Sequence, residues 1–248
     1  MTQTIKPSDV FLDGLDDLPL FHCLPAKQRR ALAECASVVS YEPGEFLFRE
    51  GEPAERFFIL KRGRVKMRRL CRSGKEAVLH LSAPPHMIGC KGLTIPGSRF
   101  PADAVAVDPV IALGFRREVF LKQVAHIPEV FFSLLVELNR RLSEIYTLQA
   151  TLLEPTEKRI AILLLNQAGV DPALPDGRAP KPIHMTKSLI AAIVGTTTET
   201  AIRVLSRWKK TGLICSERGK ITIRDLAGIY AIAEIEASPP GPVLGFQV

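Results

Sequence analysis

Glu199 and Arg203 are the two residues of this sequence whose types and spacing point most directly to a chemistry. On an α-helix, residues four positions apart share one face, so both side chains would reach the same part of a partner. In the major groove of DNA, an arginine fork donates to guanine O6 and N7, and a glutamate accepts from cytosine N4. The alternative is an ion pair between the two on a solvent-exposed helix, which contributes only a few tenths of a kcal/mol. The elements around them favour DNA.

Two short helices joined by a tight turn are predicted to position these residues. In the first helix, KSLIAAIV from Lys187 to Val194, apolar residues recur at the i, i+3, i+4 spacing of an amphipathic helix. Gly195 ends it, and the following threonines can cap a second helix that begins near Thr198. The second helix has an apolar stripe of Ala201, Val204, Leu205 and Trp208. This pair, followed by the hairpin pattern LICSERGKITI, predicts a winged helix-turn-helix that binds duplex DNA.

The side chains expected to contact DNA fall into two groups. The base-reading group lies near the start of the second helix and comprises Glu199, Arg203, Thr198 and Ile202, of which Thr198 and Ile202 have no single preferred base. The residues expected to contact phosphates are Lys187, Thr197, Lys209, Lys210, Arg218 and Lys220. Each of them has the alternative of an ordinary surface residue. The charge distribution favours DNA binding. Residues 155–224 carry twelve Lys or Arg and five Asp or Glu, whereas the remainder carries 21 of each sign.

The second helix resembles the recognition helix of a known family. The pattern G-x-[ST]-x-E-T-x-x-R, followed by an apolar helix and a G-L-I turn, is matched by Gly195, Thr197, Glu199, Thr200, Arg203, Leu205, Gly212 and Ile214. It is similar to that of the CRP/FNR superfamily of bacterial transcription regulators, and the resemblance covers about residues 15–236. It implies a homodimer that binds palindromic duplex DNA and contacts RNA polymerase, here through the loop at 170–184. The alternative for this loop is a plain connector.

Short β-type segments separated by glycine turns occupy Val38 to Phe115. Many short strands with regularly placed turns predict an antiparallel roll or barrel. In the CRP/FNR family the corresponding region is a cyclic-nucleotide-binding β-roll. The expected fold class is therefore α+β: an N-terminal antiparallel β-roll of the cyclic-nucleotide-binding jelly-roll type, a long dimerisation helix and a C-terminal winged helix-turn-helix.

Residues 87–107 correspond, by this resemblance, to the loop that holds cyclic AMP in the family members that bind it. The glycine frame is kept, but Cys90 occupies the place of the ribose-binding Glu, and Phe100-Pro101 that of the phosphate-binding Arg-Ser. Cyclic AMP is therefore not the expected effector, because its phosphate lacks a charge-assisted partner unless Arg99 substitutes. The expected effector pocket comprises Gly89, Cys90, Lys91, Gly92, Arg99, Phe100, Leu138 and Leu142.

The effector is left open by the sequence. The family includes sensors of haem-bound gases, iron–sulfur chemistry, small organic acids and other metabolites, and the N-terminal cysteine cluster of the iron–sulfur members is missing. Candidate ligands for haem are His22, Cys23, Cys90 and His126, and each has the alternative of an ordinary structural residue. Cys71 and Cys90 are candidate sites of thiol oxidation. Two further alternatives are an effector-independent regulator with an empty roll and a cupin-type β-roll enzyme. The lack of an H-x-H motif with a matching Glu disfavours the enzyme, so no catalytic activity is expected.

A heptad pattern marks the longest predicted helix, from Pro128 to Leu152. Its a and d positions are Leu135, Leu138, Leu142, Ile145, Gln149 and Leu152. In the family this helix is the dimer coiled coil, and the alternative is packing on the roll of the same chain. The expected domains are 1–125 for the effector-sensing roll, 126–154 for the dimerisation helix and hinge, 155–237 for the winged helix-turn-helix and 238–248 for a flexible tail.

The composition is that of a globular protein, with 46% apolar and 24% charged residues. No stretch approaches roughly 18 uninterrupted apolar residues, and the N-terminus lacks the basic-then-apolar order of a signal peptide. Five scattered cysteines without metal-ligand spacing suit a reducing compartment. These features predict a cytoplasmic protein with no membrane association.

Overall fold

The computed structural model of the chain describes residues 21, 24–71, 74, 76–170, 179–217 and 219–234. They form two compact units that divide between Ile145 and Tyr146. His22, Cys23, Arg218, most of the 170–184 loop and the tail at 238–248 lie outside the described residues.

Two four-stranded antiparallel sheets build the described part of the N-terminal unit. In the first sheet, the strands lie side by side in the order β1 (Ser37–Tyr41), β8 (Val110–Arg116), β3 (Arg56–Arg62) and β6 (His86–Ile88). In the second, the order is β2 (Phe46–Phe48), β7 (Asp103–Ala106), β4 (Val65–Leu70) and β5 (Glu76–Ser82). The antiparallel roll predicted from the glycine-punctuated segments is confirmed.

Glycines in the left-handed backbone region make the turns between strands. Gly63, between β3 and β4, has φ of +79°, and a Cβ added there would overlap the backbone of Pro109. Gly44 has φ of +90° and follows Pro43, which is the arrangement of a type II turn. Glycine adopts such angles without the steric penalty that a Cβ brings, so its spacing marks the strand ends.

Helices cover the roll and complete its core. They are α1 (Ala26–Cys35), α2 (Lys91–Thr94), α3 (Arg117–Val124) and α4 (Pro128–Thr151). Phe57 and Phe115 stack with ring centroids 5.1 Å apart, and Phe120 of α3 meets Phe57 edge-on at 4.9 Å. These rings belong to a buried cluster that also takes in Leu32 of α1 and Leu93 of α2. The loop and short helix expected to form the effector pocket therefore rest on a packed apolar floor.

Two sides of the long helix α4 are in different environments, one buried and one exposed. Val130 and Leu134 are buried in the cluster of the roll. Leu135, Leu138, Leu142 and Ile145, in contrast, are between 40% and 55% exposed. Within the described N-terminal unit, these four positions of the heptad stripe are therefore left partly uncovered by the roll.

The C-terminal unit contains a helix pair and a small sheet. Its described elements are α5 (Thr156–Gln167), β9 (Ile183–His184), α6 (Lys187–Val194), α7 (Thr198–Lys210), β10 (Ile214–Glu217), β11 (Lys220–Ile223) and α8 (Leu226–Ala233). The sheet order is β10-β11-β9, and the β10–β11 hairpin closes with Glu217 opposite Lys220 and with Gly219 at φ +81°. This hairpin is the predicted wing.

Among the described residues, no single helix is long and apolar enough to cross a membrane. Only α6 and α7 taken together, bent by 112°, reach that length and composition.

Candidate nucleic-acid interface

Helices α6 and α7 meet at 112°, within the range of helix-turn-helix motifs. Gly195 ends α6 in the left-handed conformation (φ 66°, ψ 46°), and its N–H donates to the carbonyl of Ala191. Thr197 then caps α7, because its hydroxyl accepts the N–H of Thr200 at 3.2 Å. The turn residues therefore determine where α7 begins and which of its residues form the first turn.

One face of α7 is buried and anchored. The four residues of the predicted apolar stripe, Ala201, Val204, Leu205 and Trp208, are all buried. The indole N–H of Trp208 donates to Oε1 of Glu157 on α5 at 2.7 Å, and Arg207 forms an ion pair with the same carboxylate. Burial alone raises the pKa of Glu157, but the hydrogen bonds from Arg207 and Trp208 outweigh it and hold that pKa below its usual range. Glu157 therefore stays ionised and holds α7 against α5.

The opposite face of α7 carries Glu199, Ile202 and Arg203, all exposed. Glu199 and Arg203 do not form an ion pair, and Arg203 has no hydrogen-bond partner among the described residues. A hydrogen bond from its own backbone N–H, followed by one from the Thr197 side chain, holds the pKa of Glu199 below its usual range. The structure thus presents an unpaired guanidinium and an ionised carboxylate on one exposed face, while Thr198 beside them is half-buried.

The residues predicted to contact phosphates differ in their hydrogen-bond partners and in their place on the helices and the wing. Lys187 and Lys210 lie exposed at the N-terminus of α6 and the C-terminus of α7, and Lys220 is exposed in the wing. Lys209 donates through Nζ to the carbonyl of Ser216 at 3.2 Å, so it also joins α7 to β10. The Thr197 hydroxyl serves as the helix cap described above. The exposed lysines are therefore the groups most available to phosphates.

In the roll, Phe100 fills the position that carries the phosphate-binding Arg in the resembled pattern. It is 5% exposed, and its ring stacks on Phe48 with centroids 3.8 Å apart. A Cβ at Gly89 would come within 3.3 Å of the same ring, and one at Gly92 within 2.6 Å of the Arg56 carbonyl. The loop is thus closely packed on apolar side chains at the point where a cyclic phosphate would need a cation.

Several other residues predicted to line the effector pocket are exposed, and only Cys90 of those described next packs on the core of the roll. Arg99 is exposed and donates from Nη1 to the carbonyl of Gly51 at 2.6 Å, so it does not replace the missing cation in this structure. Lys91 is exposed, and Leu138 and Leu142 belong to the exposed stripe of α4. Cys90 packs against the buried cluster of the roll.

Arg141 is a residue of this region that the sequence analysis missed. Its Nε donates to Oε1 of Glu137 at 3.2 Å, and its Nη2 is buried without a hydrogen-bond partner among the described residues. Burial raises the pKa of the Cys90 thiol, with Arg141 lowering it and Glu137 raising it to lesser extents. The only sequence signal for Arg141 was its place in a pair of neighbouring arginines, 140 and 141. The sequence does not show which side of α4 faces the roll, so it could not indicate that Arg141 is partly buried there.

Two family models match the chain, one to each unit. The cyclic nucleotide-binding domain matches residues 38–126, and the Crp-like helix-turn-helix domain matches residues 158–232. The cyclic AMP receptor protein of Thermus thermophilus is 30% identical over 217 residues, which are 87% of this chain and 96% of that protein. The chain belongs to the CRP/FNR superfamily of transcription regulators.

Two further proteins are similar to the chain. The transcriptional activator protein Anr of Pseudomonas aeruginosa is 26% identical over 77% of this chain and 78% of its own. The structure of FixK2 from Bradyrhizobium japonicum superposes with a TM-score of 0.68 at 20% identity, over 82% of this chain and 98% of that chain. FixK2 thus shares the fold. The comparisons give the cupin-type enzyme no support.

Two of the four candidate haem ligands, Cys90 and His126, lie among the described residues of this CRP/FNR regulator. Burial raises the pKa of the Cys90 thiol, and His126 is exposed between α3 and α4. Within the described ranges, no group of three or more His, Cys, Asp or Glu side chains could hold a metal ion. His22 and Cys23 lie outside those ranges.

Proposed function

We propose that this CRP/FNR regulator binds palindromic duplex DNA as a homodimer, with an affinity controlled by an effector that binds in the β-roll and is not cyclic AMP. The observation that carries the DNA-binding part is the exposed face of α7. There Arg203 lacks a partner among the described residues and Glu199 is held ionised, although the two could have paired with each other. An unpaired guanidinium and an exposed, ionised carboxylate on one helix face are available to base edges.

The charge of the chain supports a nucleic-acid partner. Its net charge of +7 is accounted for by the surplus of Lys and Arg in residues 155–224. Neutralising phosphates releases counterions and provides affinity that does not depend on sequence. The exposed Lys187, Lys210 and Lys220 surround α7 and the wing, where such contacts would position the recognition helix.

The exposed stripe of α4 supports the homodimer. Its leucines follow the a and d positions of a coiled coil and are not covered by their own roll. A two-fold dimer would bring two recognition helices to successive major grooves about 34 Å apart, and this is why a palindrome is expected. Contact with RNA polymerase through the 170–184 loop remains part of the proposal by family resemblance.

The effector part rests on the roll. Phe100 gives a cyclic phosphate no cation, whereas the buried Nη2 of Arg141 is a donor without a partner among the described residues. This donor supports an effector with a hydrogen-bond acceptor that is presented differently from the phosphate of cyclic AMP. A constitutive regulator with an empty roll is the alternative, in which Arg141 has only a structural role.

The test is a selection of operator sequences from a random duplex pool with the full chain at fixed salt, followed by titrations with variants. Arg203→Ala is expected to cost about 1 to 3 kcal/mol for each half-site of the selected palindrome and to relax the preference at one position of each half-site. Lys187→Ala, the matched control, should weaken binding to all sequences alike and lower the salt slope by about one for each subunit. Unchanged sequence discrimination in Arg203→Ala would remove the role assigned to this residue.

A further inference from the structure

We propose that Ile202 reads a thymine through the methyl group on its major-groove edge, at a base pair next to the one read by Glu199. This assignment rests on the proposed function, since it requires α7 to lie in the major groove. It gives a base partner to the one residue of the exposed face that can neither donate nor accept a hydrogen bond.

The exposure of Ile202 is the observation that leads to this assignment. Its side chain is 40% exposed, and among the described residues from 156 to 234 it is the only large apolar side chain in the exposed class. The apolar stripe of α7 is complete without it, because Ala201, Val204, Leu205 and Trp208 are all buried. Ile202 therefore lies outside the buried stripe, on the same exposed face as Glu199 and Arg203, which the proposed function places in the major groove.

The position of Ile202 around α7 determines which base pair it can reach. Successive residues of an α-helix are about 100° apart around the axis, so Glu199 and Ser206 point between Ile202 and Arg203. Ile202 thus lies on one flank of Glu199 and Arg203 on the other. If Glu199 and Arg203 share one base step, Ile202 faces the base pair on the opposite side of Glu199.

The chemistry of the groove leaves one good partner for this side chain. Thymine carries the only methyl group among the major-groove edges of the four bases, whereas the other edges present hydrogen-bond donors and acceptors. An isoleucine pressed against those donors or acceptors would remove their water without replacing its hydrogen bonds. Contact with a thymine methyl buries apolar surface on both partners and has no such cost.

The experiment removes the methyl group and nothing else. An operator is first selected with the full chain, once with and once without the small-molecule filtrate of the cells that produced it. Each thymine position is then replaced in turn by deoxyuridine in both half-sites of the palindrome. At one position, the replacement should weaken wild-type binding about fourfold per half-site, which corresponds to one buried methyl group. Ile202→Ala should bind the thymine and deoxyuridine duplexes equally at that position.

Two variants test whether the response to deoxyuridine comes from Ile202 itself. Arg203→Ala should keep the response, because it removes a different base contact. Ile202→Val should keep a smaller response, since a shorter apolar side chain remains. The assignment is wrong if no thymine shows the effect, or if Ile202→Ala still distinguishes thymine from deoxyuridine. Failure to enrich any sequence under both conditions would instead overturn the proposed DNA recognition, and this assignment with it.

Discussion

Glu157 shows how one residue of α5 holds the recognition helix α7 in place. Its carboxylate accepts from Trp208 and pairs with Arg207, two consecutive residues near the end of α7. Trp208 is the only tryptophan of the chain, so its fluorescence reports on this contact and on the unfolding of the C-terminal unit. The pair is partly exposed, so its contribution to stability is on the order of 1 kcal/mol.

The depressed pKa of Glu157 predicts that acid weakens the C-terminal unit. A carboxyl group whose pKa is lower in the folded than in the unfolded state stabilises the fold fully above the unfolded pKa of about 4.3. That contribution is lost as the pH falls through the folded pKa. Denaturation followed by Trp208 fluorescence should therefore show a loss of stability on acidification that is about 1 kcal/mol larger in wild type than in Glu157→Gln.

Arg207→Gln is the matched variant for this experiment, because it leaves the carboxyl group but removes one of its donors. It should make the loss of stability on acidification smaller, and complete at a higher pH, since the folded-state pKa of Glu157 rises toward the unfolded value when a cation leaves. Equal acid sensitivity in wild type and Glu157→Gln would show that this carboxyl group does not account for the effect.

At the scale of elements, the turn between α6 and α7 depends on the backbone of Gly195. An added Cβ would come no closer than 3.5 Å to a neighbour, the Nη1 of Arg159, so space does not exclude a side chain. The left-handed backbone conformation is what disfavours a side chain, because an L-residue in this conformation costs about 1 to 2 kcal/mol. Gly195→Ala should lose this amount in denaturation followed by Trp208 fluorescence.

Gly195→Asn is the control for the turn, since asparagine tolerates the left-handed region better than alanine. It should lose less stability than Gly195→Ala although its side chain is larger. If the larger side chain were the more damaging one, contact with Arg159 rather than backbone strain would be the cause.

Local signals explain why α7 and the wing could be predicted from the sequence. The cap at Thr197, the stripe ending at Trp208 and the hairpin at Gly219 depend on residues a few positions apart, and the structure has all three. The contact of Trp208 with Glu157 joins residues 51 positions apart, and no local pattern predicts it. The same holds in the roll, where the Phe48–Phe100 stack and the buried side of Arg141 depend on how distant elements pack.

At the scale of the whole molecule, the long helix α4 is the element on which assembly depends. The part of α4 that packs on the roll and the part that stays exposed are on different sides, so a second copy can reach the exposed stripe without displacing the roll. The exposed leucines have no other partner in the described single chain. Because the proposed palindrome requires two recognition helices, DNA recognition and dimerisation should be lost together.

Leu142→Glu tests this link. Leu142 is exposed in the single chain, so the variant should fold, but in a coiled coil the two introduced carboxylates would meet at an a position, buried and unpaired. Sedimentation equilibrium should give half the wild-type mass, and affinity for the selected palindrome should fall at least tenfold. Val119→Glu places the same charge at an exposed apolar residue of α3 and should leave both measurements unchanged. A dimeric Leu142→Glu would mean that the copies associate through another surface, and the heptad stripe would then need a different partner.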